Sequence, residues 1–195
     1  MLLSRLRFPV EHIGYGIRAA IWLPGCPVFC RGCLARKAWV FDESTRCGVE
    51  AILGWLRELP AAQVDGVTIC GDEPTDQPAA LRALLDGITV WRAGLTRPAD
   101  ILLYSGRSTA ALGERLPWLA ASVDALVTEH AVTDTASDLA LRGSARRRVV
   151  VSSALGLNRY GAPEFETALR SCDNCARPMP SAGTTGRTVG TGRSR

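Results

Sequence analysis

Between residues 17 and 151, short apolar runs alternate with segments of helical period, and that alternation leaves few folds open. Residues 17–23, 66–70, 101–104, 123–127 and 149–151 read as strands, because each is a brief apolar run that suits an extended chain. Residues 49–59 have helical spacing, with Ile52, Leu53, Leu56 and Leu59 on one face and Pro60 as a stop. Pro78 opens a second helix that continues to about residue 91, with Leu81, Leu84, Leu85 and Ile88 facing inward. Residues 109–119 form a third helix, and 129–141 read as a loop. Strands separated by helices require crossover connections, which predicts an α/β fold with a parallel sheet. A chain of 195 residues suits one core, and a sheet of this size completes only part of a (βα) barrel.

The end of the chain changes character. After residue 177 come Pro, Ser, Gly, Thr and Arg with almost no apolar residues. Such a segment buries too little surface to offset its ordering entropy. The expected division is a domain of residues 1–170 and a segment of 171–195 that carries Cys172 and Cys175 and ends in a disordered tail. The net charge of +4 is mild, and no stripe of basic and aromatic residues marks a nucleic-acid surface. No apolar run approaches a membrane span, and the opening residues lack a signal-peptide core. The expectation is a cytoplasmic protein, in which cysteines serve as ligands or thiols rather than disulfides.

Cys26, Cys30 and Cys33 stand as C-x3-C-x2-C directly after the first predicted strand. One tight loop converges their sulfurs, and Gly25, Pro27 and Gly32 suit a sharp turn around a bulky group. Thiolate is the ligand that iron–sulfur clusters select, and a cluster normally takes four. Three leave one iron open. Zinc is the alternative, but it requires a fourth ligand, and no further His or Cys follows at short spacing. Cys172 and Cys175 form a second C-x2-C, readable as part of a second metal site or as two thiols near a chain end. Cys70 reads as a small apolar strand residue. Neither His12 nor His130 has ligand spacing to the cysteines.

Four ordered blocks carry a family likeness. Gly14-Tyr15-Gly16-Ile17-Arg18 precedes the cysteine loop, and Trp22, Gly25 and Gly32 accompany it. Cys70-Gly71-Asp72-Glu73-Pro74 stands at a strand end with Gln77 after it. Leu141-Arg142-Gly143-Ser144 and Arg148-Val149-Val150-Val151 come later. The set resembles radical S-adenosylmethionine enzymes, in particular the small glycyl-radical activase branch that serves anaerobic ribonucleoside-triphosphate reductase. Two departures stand out. Asp72 replaces a second glycine, and Val127-Thr128-Glu129-His130 lacks the family's Asp-Gly pair.

The resemblance implies a partial barrel of the radical S-adenosylmethionine type, a 4Fe-4S cluster on Cys26, Cys30 and Cys33, and S-adenosylmethionine as second cofactor. It implies that Gly71, Asp72, Glu73 and Pro74 lie beside the methionine end of that cofactor. Ser105 is open to two readings, a cofactor contact or a turn residue. Arg18 likewise either meets a carboxylate or is solvated. The implied reaction is reductive cleavage to a 5′-deoxyadenosyl radical, which generates a glycyl radical on a partner enzyme subunit. The implied electron donor is a flavodoxin or ferredoxin. Two alternatives stay open: a radical enzyme acting on a peptide or small metabolite, and a non-catalytic iron–sulfur redox or binding module.

Overall fold

The computed structural model describes residues 1–29, 33, 39–130 and 147–161. Six strands form one sheet in chain order: β1 (Arg5–Val10), β2 (Arg18–Leu23), β3 (Gly66–Gly71), β4 (Asp100–Tyr104), β5 (Ala125–Thr128) and β6 (Arg148–Val151). Pairing from β2 to β5 is parallel, whereas β1–β2 and β5–β6 are antiparallel. The sheet is therefore mixed, which corrects the expectation of a parallel sheet. At the β1 edge the reason lies in the connection. Parallel neighbours need a crossover of a dozen or more residues, and the sequence from β1 to β2 is too short for one. β1 itself escapes the sequence reading, because Arg5, Arg7 and Pro9 interrupt its apolar pattern.

The helices agree closely with the sequence pattern. α1 spans Val49–Glu58 and α2 spans Pro78–Ala93. The third expected helix is two: α3 (Thr109–Arg115) and α4 (Leu119–Ser122). Pro117 separates them, since proline lacks the N–H a helix interior needs and drives the preceding residue out of helical geometry. Leu116 accordingly sits at φ −136°. The seven-residue α5 (Ala154–Tyr160) was not anticipated. No described helix is long and apolar enough to cross a membrane.

Alternation along the strands divides the sheet into two faces. Ala19, Ile21, Leu23, Val67, Ile69, Ile101 and Leu103 face α1 to α4 and make the main core with Ile52, Leu56, Leu84 and Ile88. The opposite face carries Ala20, Cys70, Leu102, Ala125 and Val127, covered in part by Ile13 and Tyr160. Cys70 behaves as the small apolar residue expected there, with burial pushing its thiol up to about 12.

The amino-terminal ends of the strands are joined by a buried ionic lock. Arg18 of β2 and Asp100 of β4 are fully buried and form a two-pronged pair at 2.9 Å. Arg18 also donates to Thr68 Oγ1 at 2.5 Å, and to the Tyr15 and Val67 carbonyls at 2.9 Å. Asp100 further accepts from the Tyr160 hydroxyl at 2.7 Å and from Arg159. Gly66 of β3 lies in register between Arg18 and Asp100, and a Cβ there would stand 2.6 Å from both partners. A strand residue without a side chain thus lets the ion pair cross an intervening strand. Arg18 does meet a carboxylate, and it is one of the protein's own. The Gly14-x-Gly16-x-Arg18 block is the approach to this lock, with the Ile17 N–H also donating to Asp65 at 2.8 Å.

Candidate functional site

The cysteine loop leaves the other end of the sheet, at the carboxyl end of β2. Open α/β sheets present their ligand sites at that end. Pro24 and Gly25 lead from Leu23 to Cys26, whose side chain is buried. Cys33 is half-buried, and among the described residues neither it nor Cys26 forms a disulfide. Cys30 lies outside the described residues, as do Arg142, Gly143, Ser144, Cys172 and Cys175.

The segment after β3 holds the loop by its backbone. The Asp72 N–H donates to the Leu23 carbonyl at 3.0 Å, and the Glu73 N–H donates to the Gly25 carbonyl at 3.1 Å. The Gly25 N–H donates back to Asp72 Oδ2 at 3.2 Å. Gly71 makes this possible. It has φ +111°, and a Cβ on it would lie 2.6 Å from the Leu23 nitrogen and overlap the Leu23 oxygen. Only glycine accepts that conformation against a neighbouring backbone at no steric cost.

Glu73 is fully buried and turned toward β4. Its Oε1 accepts from the Thr75 hydroxyl at 2.6 Å, the Thr75 N–H at 3.2 Å and the Ser105 hydroxyl at 2.9 Å. Its Oε2 accepts from the Gly106 N–H at 2.8 Å. Glu73 also caps the short turn Pro74–Asp76, and Pro74 is buried at its start. Glu73 and Ser105, read separately in the sequence, thus form one unit that ties β3 to β4. Thr75 and Gly106 belong to it and were not singled out, because backbone and hydroxyl donors leave no spacing signal. Gln77 bonds both backbone groups of Leu2, at 2.6 and 3.1 Å, and anchors the amino terminus.

Replacing Glu73 by Gln sets an NH2 group among these donors. The Glu73→Gln protein is expected to lose about 1–3 kcal/mol of stability through unsatisfied buried donors. A lowered thermal midpoint with an unchanged far-ultraviolet spectrum checks this.

The donor set at Cys26 suits a thiolate ligand. Burial is the main influence raising its thiol, with the Glu73 and Asp72 charges adding to it. Hydrogen bonds from the Val28 and Phe29 backbone oppose that rise. Amide donors aimed at a sulfur are one of the means by which a protein holds and tunes an iron–sulfur cluster. Asp72 is half-buried, and burial pushes its carboxyl up to about 7 against the pull of the Gly25 N–H. Further along the same sheet end, Glu129 follows β5 in the left-handed region at φ +71°.

The chain is 28% identical over 145 residues to the anaerobic ribonucleoside-triphosphate reductase-activating protein of Vibrio cholerae, spanning 72% of this chain and 92% of that protein. The match supports the likeness to glycyl-radical activases seen in the ordered motifs. The model of the 4Fe-4S single cluster domain matches residues 13–150, a stretch that contains Cys26, Cys30, Cys33 and the whole segment Gly71–Pro74. The chain belongs to the 4Fe-4S single cluster domain family.

Proposed function

We propose that this chain is a radical S-adenosylmethionine enzyme that generates a glycyl radical on a partner enzyme, an anaerobic ribonucleotide reductase or a relative of one. The observation that carries the reading is the mutual bracing of two segments. The loop entering Cys26 and the segment Gly71–Glu73 hold each other through three backbone-anchored hydrogen bonds at the carboxyl end of the sheet. The similarity to a reductase-activating protein over most of both chains supports the choice of partner.

In this reading Cys26, Cys30 and Cys33 hold a 4Fe-4S cluster, and the strands form a partial barrel of the radical S-adenosylmethionine type. A cluster held there would supply one-electron reduction of S-adenosylmethionine, the chemistry of radical enzymes of this type. The residues of the chain position that chemistry. Gly71, Asp72, Glu73 and Pro74 form the wall beside the methionine end, where backbone carbonyls accept from an ammonium. Glu73 keeps this wall rigid through Ser105 and Gly106. The hydrogen donor is a backbone glycine of the partner, and a small flavodoxin or ferredoxin supplies the electron. The setting is the cytoplasm.

The test is anaerobic reconstitution with iron and sulfide, reduction, and addition of S-adenosylmethionine. Formation of 5′-deoxyadenosine by the wild type and its loss in Cys30→Ala is the expected result. A cluster that assembles without product removes the radical assignment and leaves an iron–sulfur redox or binding module. Product without a glycyl-radical signal on an added reductase favours a peptide or metabolite substrate.

A further inference from the structure

Asp72 and Glu73 are neighbours in sequence but differ in how their charges are met. Glu73 is surrounded by hydroxyl and amide donors from Thr75, Ser105 and Gly106. Asp72 has one hydrogen bond among the described residues, from the Gly25 N–H at 3.2 Å. Among the described residues no Arg or Lys forms an ion pair with it. Its charge is therefore the less compensated of the two; both carboxylates raise the Cys26 thiol, Glu73 more than Asp72, but only Asp72 bonds the Gly25 N–H at the entry to Cys26.

The bond to Gly25 also has a mechanical consequence. The Gly25 N–H is held by the Asp72 side chain and its carbonyl by the Glu73 N–H. The residue before Cys26 is thus grafted at two points onto the end of β3. Backbone amides alone supply the second point, whereas the first requires an acceptor on residue 72. A glycine at this position, as the family resemblance implies, leaves the Gly25 N–H without it.

We propose that Asp72 is a positioning residue of the cluster and also sets its redox equilibrium, by fixing the Gly25 amide at the entry to Cys26 and by placing a negative charge beside the group that Cys26, Cys30 and Cys33 hold. This rests on reading those cysteines as cluster ligands. The step concerned is one-electron reduction of the cluster by an external low-potential reductant, with no bond made or broken. A fixed negative charge opposes the arriving electron, and partial exclusion of water strengthens that opposition. Net charge and hydrogen bonding around a cluster are the means by which proteins move its potential.

The experiment is a redox titration of the reconstituted full chain, followed by the electron paramagnetic signal of the reduced cluster. Dithionite and mediators are used at pH 8.5, where the Asp72 carboxyl is ionised in the wild type. Asp72→Asn keeps an oxygen for Gly25 and loses the charge. Asp72→Gly loses both, and Asp72→Glu keeps the charge. Asn and Gly are expected to be more easily reduced by about tenfold in equilibrium constant, about 59 mV for one electron. Glu is expected to remain at the wild-type side. Iron retention during gel filtration reads the positioning role, with Gly losing iron faster than Asn. If Asn fails to fold, Gly still reads the charge. Coincident midpoints for wild type, Asn and Gly overturn the proposal while leaving the cluster intact. A wild-type chain that takes up no iron and sulfide overturns the cluster reading and this proposal with it.

Discussion

Arg18→Ala is expected to lower the thermal midpoint by about 6–20 °C, the largest stability effect of any single substitution away from the metal site. The figure follows from about 3–5 kcal/mol for removing one partner of a buried ion pair and about 2–4 °C per kcal/mol in a domain of this size. That loss is a large share of a total near 5–15 kcal/mol. Arg18 has no exposure to water, and its guanidinium joins β2, β3 and β4 through Thr68, Val67 and Asp100. Without it, Asp100 keeps Arg159 and Tyr160 but loses the two-pronged partner. The double variant Arg18→Met, Asp100→Leu removes both charges of this pair but leaves the buried Arg159, among the described residues, with only the Asp65 and Pro98 carbonyls, so it is expected to recover no more than part of the loss. Differential scanning calorimetry of the three proteins measures this. A single variant within a few degrees of the wild type contradicts a stabilising lock.

The same pair sets the acid limit. Burial alone pushes the Asp100 carboxyl up, but the Arg18 guanidinium, with Tyr160 and Arg159, outweighs burial and holds it below the ordinary carboxylate range. A carboxyl held low in the folded state stabilises fully above its unfolded value of about 3.9. That contribution is lost as pH falls through the folded value. The wild type should therefore lose stability at the acid end more steeply than Asp100→Asn, which lacks the titrating group.

Gly71→Val is expected to be the most damaging change to the site that leaves every cysteine in place. The residue occupies φ +111°, where β-branched side chains are strained by about 1–3 kcal/mol. A Cβ would also collide with the Leu23 backbone, two residues before Gly25. Relief requires the ends of β2 and β3 to part, which breaks the bonds from Asp72 and Glu73 to Leu23 and Gly25. Iron content after reconstitution should fall together with the thermal midpoint. Gly54→Ala is the control. It lies inside α1 with open space around its Cα, and alanine there should raise stability by about 1 kcal/mol. A Gly71→Val protein with wild-type iron content would show that the loop does not depend on the β3 end.

What could be read in the sequence was local. The period of Ile52, Leu53 and Leu56, the starting Pro78 and the apolar run of β3 each depend on neighbours in the chain, so the helices and central strands stand where expected. The cysteine loop and the Gly71–Pro74 segment were visible for the same reason, since their residues lie within a few positions of one another. The split at Pro117 was written there too, but the longer apolar pattern from residue 109 to 119 masked it. The antiparallel edges were not legible, because β1 and β6 take their direction from the neighbours they meet.

The tertiary structure decided which polar groups work together. Arg18 and Asp100 are 82 positions apart and meet only because strand register aligns them across Gly66. Glu73 and Ser105 are 32 positions apart and meet because β3 and β4 end side by side. Asp72 read as a lost glycine in the chain, and the fold turned it into the acceptor for the Gly25 amide. The residue types on which the proposed metal chemistry rests, three closely spaced thiols and an acidic strand end, were readable in the sequence alone. Which acid braces the loop, which ties β3 to β4, and which arginine serves only the frame depend on contacts between distant segments, which exist only once the sheet has assembled.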